Sequence, residues 1–486
     1  MAFNSFTFWL VFPVVFGIYW LIPSKYNQWR KVFLLVASYM LYMNYKPVFA
    51  LVLLGVTLVT WWGGQFLSLE LRDKSEESVE DDSSFKIQDS GRRKRLAWLF
   101  ALLGLLPLLV FKYYNFINES ITSLLEVSGF KFQLPGLNWA IPVGISFFTF
   151  QAVGYMLDVY HERVKAEKNL IDYMLFVSFF PQVFSGPISK ADELLPQIKE
   201  AHQFDYSQGV QGLKFLLWGM FLKLVLADRL GLYVDKVAAD YMMYNGGTCM
   251  LAAVFYSLQI YGDFAGYSLM AIGVAKTLGF DLINNFNRPY FADSITGFWK
   301  RWHISLTRWL TQQVYIPLGG SRCSKIKNYW NILVTFLVSG IWHGANWTFI
   351  VWGLIHGFVQ IVEKALGLNK KDSKGIVRFV RIVVTFILVT VAWVFFRMPT
   401  MGDALRIIGH WFTAFSVPEV LSVTNFAIYI MAIALVFFKE SREEFFSSKF
   451  RFLDNRYMRW AEYVVALCLI LLCGALDSGS FIYGSF

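Results

Sequence analysis

The fold class that the sequence predicts is an all-α polytopic membrane protein, and three observations predict it. Hydrophobic residues make up 56% of the 486 residues and charged residues only 16%, against about 25% charged in ordinary soluble domains. Asp, Glu, Lys and Arg are absent from 1–24, 47–69, 132–157, 241–262, 328–362 and 420–438, and about 20 residues of helix cross the hydrocarbon core. These runs are continuous rather than alternating, which argues against a β-barrel. A cytosolic enzyme, a disordered chain and a secreted disulfide scaffold are all excluded by so little charge.

Along the chain, shorter apolar windows at 32–45, 96–111, 173–189, 382–396 and 463–476 can be extended by snorkelling Lys and Arg. Roughly eleven membrane segments result, re-entrant ones included, and 1–486 reads as one membrane domain. Two polar breaks interrupt it. Segment 70–95 holds seven Lys/Arg and eight Asp/Glu and reads as a solvated, mobile loop; segment 363–381 is the second. No repeat of fixed period appears, which speaks against a transporter or pore built from two related halves. The four cysteines have no metal-ligand spacing and read as packing residues, and no metal site is expected. With no positive charge before Lys25, the N-terminus does not read as a signal peptide.

The net charge of +10 reports orientation rather than nucleic-acid binding. Basic loops (Lys25, Arg30, Lys31; Arg92–Arg95; Arg163, Lys165, Lys168; Lys439–Arg459) alternate with poorly charged ones. The positive-inside rule puts the basic loops in the cytoplasm and both termini outside.

Segment 284–320 differs from its surroundings. Ile295, Phe298, Trp299, Trp302, Leu306, Trp309 and Leu310 recur at helical spacing, with Lys300, Arg301 and Arg308 off that stripe. The pattern predicts an amphipathic helix, either an interfacial anchor or a basic face that meets a phosphorylated substrate. In the charge-free run 328–362, His343 lies near the middle, between Gly340 and Gly344, a small-xxx-small pair that admits a neighbouring helix. Asn346 and Trp347 follow at the spacing of one helical face. An ionisable group at such depth is a functional hypothesis by default: a neutral imidazole able to take a proton, or a histidine hydrogen-bonded between helices. Both stand on the residues alone. His356, in a similar Gly-rich frame, reads as packing, and Asp263 as a buried hydrogen-bonding post or part of a polar path. No P-loop, GxGxxG, GxSxG or HExxH is present.

Three runs, N-F-N-R-P-Y…F-W-K-R-W-H-I-S-L (285–306), Y-I-P-L-G-G (315–320) and W-H-G-A-N-W (342–347), together resemble the membrane-bound O-acyltransferases, in their alginate O-acetyltransferase branch. P-V-G-I-S-F-F-T-F-Q (142–151), F-F-P-Q-V-F-S-G-P-I (179–188) and the stretch from Leu258 to Gly279 support the resemblance. Two departures each remove a carboxylate: Leu269 in Gly266-Tyr267-Ser268-Leu269-Met270, and Gln312-Gln313.

The resemblance implies a ring of tilted helices around a central tunnel closed by re-entrant segments. It implies His343 as the principal catalytic residue, a general base on the acceptor hydroxyl, with His303 as the second histidine. Lys300, Arg301 and Arg308 would attract donor phosphates, with Asn346 and Trp347 beside the site. It implies no bound cofactor but acetyl-CoA as acyl-donor substrate, an extracytoplasmic polysaccharide as acceptor, a separate esterase-like (SGNH-type) transferase as partner, and a cytoplasmic (inner) membrane location among membrane lipid. D-alanyl transfer of the teichoic-acid type is the alternative within the class. The ending Phe481-Ile482-Tyr483-Gly484-Ser485-Phe486 resembles an F-x-Y-x-x-F tail whose tyrosine carries the acyl group; an aromatic interface anchor is the plainer reading.

Overall fold

A computed structural model describes residues 3, 5–77, 83–130, 134–368, 373–446 and 455–475. Among them every regular element is helical. The chain divides into two compact units, one of residues 3–212 with 274–283 and one of 213–273 with the chain from Asn284 on.

The first unit holds α1 (Phe6–Leu21), α2 (Asn27–Met43), α3 (Pro47–Glu77), α4 (Ser83–Leu108), α5 (Tyr114–Val127), α6 (Ile145–Tyr160), α7 (Leu170–Ser178), α8 (Phe180–Val183) and α9 (Ala191–Lys199). Two of the quoted motifs meet here. Gly144 starts α6 in the left-handed region (φ 74°), and a Cβ there would lie 2.2 Å from the Val183 carbonyl oxygen. Only glycine supplies both the backbone angle and the space. Lys31 pairs with buried Asp172 at 2.7 Å. The charged segment 70–95 is not a plain loop, since α3 runs on to Glu77 and α4 begins at Ser83.

The chain continues through α10 (Tyr206–Met220), α11 (Asp228–Ala239), α12 (Gly246–Thr277), α13 (Ile295–Trp299), α14 (Ile304–Leu310), α15 (Lys325–His343), α16 (Trp347–Ala365), α17 (Gly375–Arg397), α18 (Met401–Thr413), α19 (Val423–Phe445) and α20 (Arg456–Cys473). In the second unit, a π-helical stretch, Phe221–Ala227, joins α10 to α11. It carries Lys223, whose Nζ lies 2.6 Å from Asp263 and 2.7 Å from Asp228, all three buried. Asp263 is thus a buried post, with a lysine as its partner. Glycines let α12 approach this stretch: Cβ atoms at Gly262 and Gly266 would lie 2.9 Å from the Leu222 and 2.8 Å from the Gly219 carbonyl oxygens.

Among the described residues, five helices are long and apolar enough to cross a membrane, or six if α1 and α2, bent by 103°, count as one span. These long spans are fewer than the apolar windows of the sequence, whose count of eleven includes short and re-entrant segments, because apolar length is not helix length. Run 328–362 folds back on itself. Window 173–189 is divided between α7 and the four-residue α8, which contains Pro181. Run 132–157 yields a helix only from Ile145.

Candidate active site

The 35-residue charge-free run is a helical hairpin. α15 ends at His343, Gly344 is extended (φ −166°), and Asn346 caps α16 by accepting from the Thr348 N–H at 3.0 Å. Asn346 and Trp347 therefore do not share a helical face with His343. The Asn346 amide donates to the Pro399 carbonyl at 2.9 Å, and Trp347 is exposed. The small-residue pair does admit a neighbouring helix, and that neighbour is α16. A Cβ at Gly340 would lie 2.4 Å from the Phe349 carbonyl oxygen, and one at Gly353 2.3 Å from that of Phe336.

Segment 284–320 is also not one helix. α13 ends at Trp299, His303 takes left-handed angles (φ 44°, ψ 54°), and α14 starts after it. Non-glycine residues avoid this region, and such strain gathers at functional sites. Trp299 and Trp302 of the stripe are buried in the protein interior, and Trp309 is half-buried. Trp302 is 1% exposed and packs against Phe286 and Trp393.

These breaks place three histidines on one aromatic ladder. His303 packs against Trp342 (centroids 5.8 Å), Trp342 against His343 (4.8 Å), His343 against Trp352 (4.8 Å), and Trp352 against His356 (5.0 Å). All three imidazoles are at most 2% exposed. Their hydrogen bonds distinguish two of them. Asn285 Oδ1 accepts from the Ser305 N–H at 3.1 Å and its hydroxyl at 3.0 Å. The atom facing a backbone N–H has to be the amide oxygen, so the His303 Nδ1 at 3.3 Å from it is the donor. Nε2 is then the basic nitrogen of His303. Burial pushes this imidazole down to about 3, so it is neutral near pH 7. At His356 the roles reverse: Nδ1 accepts from the Trp299 indole N–H at 3.4 Å, so Nε2 carries the proton and the ring is no base. That agrees with the packing role read for His356.

A cavity of about 480 Å³ lies against this ladder. Lys300, Gln360 and Lys364 line it together with Thr335, Phe336 and Ser339 of α15. Ser339 is one turn before His343, and Trp299 in the cavity wall touches both Trp352 (5.6 Å) and His356 (5.1 Å). Of the three cations expected to face phosphates, Lys300 lines the cavity. Arg301 instead makes two 3.1 Å contacts with Glu444, a carboxylate that also meets Arg288 (3.1 Å) and Arg378 (2.7 Å). Arg308, on α14, is not part of the lining. Tyr483 lies outside the described residues.

Sequence reasoning missed Lys364, Asn285 and Glu363. Glu363 had looked like the first charge of a polar break, yet it is buried and holds the start of α13. It accepts from the backbone N–H groups of Ile295 (2.5 Å) and Thr296 (3.0 Å) and from the Thr296 hydroxyl (3.1 Å). In Glu363→Gln one carboxylate oxygen becomes an amide N–H₂ that faces a donor. We expect a loss of about 1–3 kcal/mol, read as a lowered thermal midpoint in detergent, with a raised KM for donor because α13 leads into Lys300. An unchanged midpoint and KM would show the carboxylate to be dispensable.

The structure thus has an apolar helical body with a ladder of buried histidines beside a cavity lined by Lys300 and Lys364. Residues 96–398 match the family described as membrane-bound O-acyltransferase, well over half of the chain. The chain belongs to this family and is a multi-pass membrane O-acyltransferase. It is 36% identical over 411 residues to a protein of Pseudomonas aeruginosa described as probable alginate O-acetylase AlgI, covering 84% of this chain and 74% of that one. It is 31% identical over 439 residues to the peptidoglycan O-acetyltransferase of Helicobacter pylori, covering 84% and 79%. The teichoic acid D-alanyltransferase of Streptococcus thermophilus is 28% identical over 302 residues, covering 59% and 69%.

Proposed function

We propose that the protein moves an acetyl group from cytoplasmic acetyl-CoA for O-acetylation of an extracytoplasmic polysaccharide. The observation that carries this reading is the cavity whose lining holds Lys300, Lys364 and Ser339, the last one turn short of His343. Lys300 and Lys364 suit the donor's phosphates, and the apolar side chains of the lining, Leu306, Leu310 and Phe336 among them, suit a pantetheine-like arm. His343 takes the proton of the attacking hydroxyl as the oxygen–carbon bond forms; the carbon–sulfur bond then breaks, and the thiolate receives the proton. His303, with Nε2 basic, orients the donor end or assists that proton transfer. The relatives described as probable alginate O-acetylase and as peptidoglycan O-acetyltransferase support acetyl over D-alanyl as the group moved.

The first acceptor in this scheme is Tyr483, with both chain termini outside the cytoplasmic (inner) membrane. A phenol has a pKa of about 10, so its ester is more activated than a sugar ester and can pass the acetyl group to an SGNH-type transferase. The purified protein in proteoliposomes is offered acetyl-CoA or a D-alanyl carrier thioester. Expected are thiol release from acetyl-CoA alone and one acetyl mass on the C-terminal peptide, absent in Tyr483→Phe. Turnover with the D-alanyl thioester alone would reverse the donor assignment. Normal polymer acetylation by Tyr483→Phe would remove the relay and leave the tail an anchor.

A further inference from the structure

Apart from the cavity beside the histidines, the second unit has a groove of about 380 Å³ between the end of α10, the C-terminal half of α19 and the middle of α20. We propose that it is a binding site for an anionic glycerophospholipid, with the phosphate at Lys214, Lys439 and Arg442 and an acyl chain laid along Phe221, Leu435 and Leu469.

The order of residues along each wall carries the proposal. On α10 and its π-helical continuation the lining runs Lys214, Leu217, Trp218, Phe221; on α20 it runs Glu462, Tyr463, Val465, Ala466, Leu469; on α19, read backwards, it runs Arg442, Lys439, Phe438, Leu435. Every wall thus changes from charged to apolar in the same direction. A lipid has this profile, whereas a soluble anion would have no use for the apolar end. The cations are held at the mouth by aromatic rings: Lys439 Nζ lies 4.8 Å from the Trp218 centroid and Lys214 Nζ 5.4 Å from that of Tyr463. Two carboxylates are present as well, Glu462 at 3.2 Å from Arg442 and Glu443 at 2.7 Å from Lys439. Three cations against two carboxylates leave the mouth positive, which selects an anionic headgroup over a zwitterionic one. Basic pockets between membrane helices are established phosphate-lipid sites. No residue of the groove belongs to the histidine ladder or its cavity.

The test is native mass spectrometry of the full chain released from nanodiscs of phosphatidylglycerol or phosphatidylcholine, with acyl transfer as the folding control. Wild type is expected to retain one phosphatidylglycerol with about tenfold preference over phosphatidylcholine, undisturbed by inorganic phosphate. Lys214→Gln/Lys439→Gln should lose the preference. Ala466→Trp, which keeps every charge and fills the apolar end, should lose the adduct. Equal retention of both lipids by wild type, displacement by inorganic phosphate, or a full adduct in active Ala466→Trp would each overturn the proposal. So would a mass of two chains whose formation Ala466→Trp abolishes, since the occupant would then be a second copy.

Discussion

His343→Ala should lower kcat for acyl transfer by at least about 100-fold, the lower end of what a positioned general base contributes, while KM for the donor should move little. The two expectations separate because His343 stands at the end of α15 beyond the cavity lining, so donor contacts through Lys300 and Lys364 survive its loss. The ring is fixed by Trp342, Trp352 and Phe396 at centroid distances of 4.8, 4.8 and 5.2 Å. Removing it leaves a gap that these aromatics cannot close without moving. His343→Gln, which keeps most of the volume, serves as the control: it should elute as folded protein and be equally inactive. Transfer at the wild-type rate in either variant would end the assignment of His343 as base. His356→Gln should instead lower stability more than kcat, since Nδ1 of that ring is already engaged by Trp299.

Lys223→Met should cost about 3–5 kcal/mol, the usual result of removing one member of a buried ion pair. Asp228 and Asp263, both buried, would lose the lysine that lies between them. The lysine lies where α10 passes through its π-helical stretch into α11, so its loss should be visible as a low yield of monodisperse protein and a lowered thermal midpoint. The triple variant Lys223→Met/Asp228→Asn/Asp263→Asn removes all three charges and should recover much of that loss, because a fully neutral replacement carries no unpaired charge. A single variant as stable as wild type would show that the triad contributes nothing to assembly.

The membrane class was legible in composition, because a surface with so little charge cannot face water on all sides. The candidate histidines were legible as well: His343 because an ionisable group in 35 charge-free residues is conspicuous, His303 because it sits inside a motif. Glycine spacing announced a close helix neighbour for α15 before its identity as α16 was known. Helix boundaries within apolar runs were not legible. Hydropathy reports what a segment can bury, not where it turns, and the folds at Gly344 and at His303 follow from caps and backbone angles set by distant partners. Asn285 fixes the His303 tautomer from 18 residues away, and Glu363 holds the start of α13 from 68 residues away. Arg301 and Lys300 are neighbours in sequence with the same charge. Only the tertiary structure sends one to Glu444 and the other to the cavity, because a side chain's partner depends on which helices meet around it. The sequence by itself determined what kind of solvent this chain needs and which residues could do chemistry; the packing of helices decided which of them stand together.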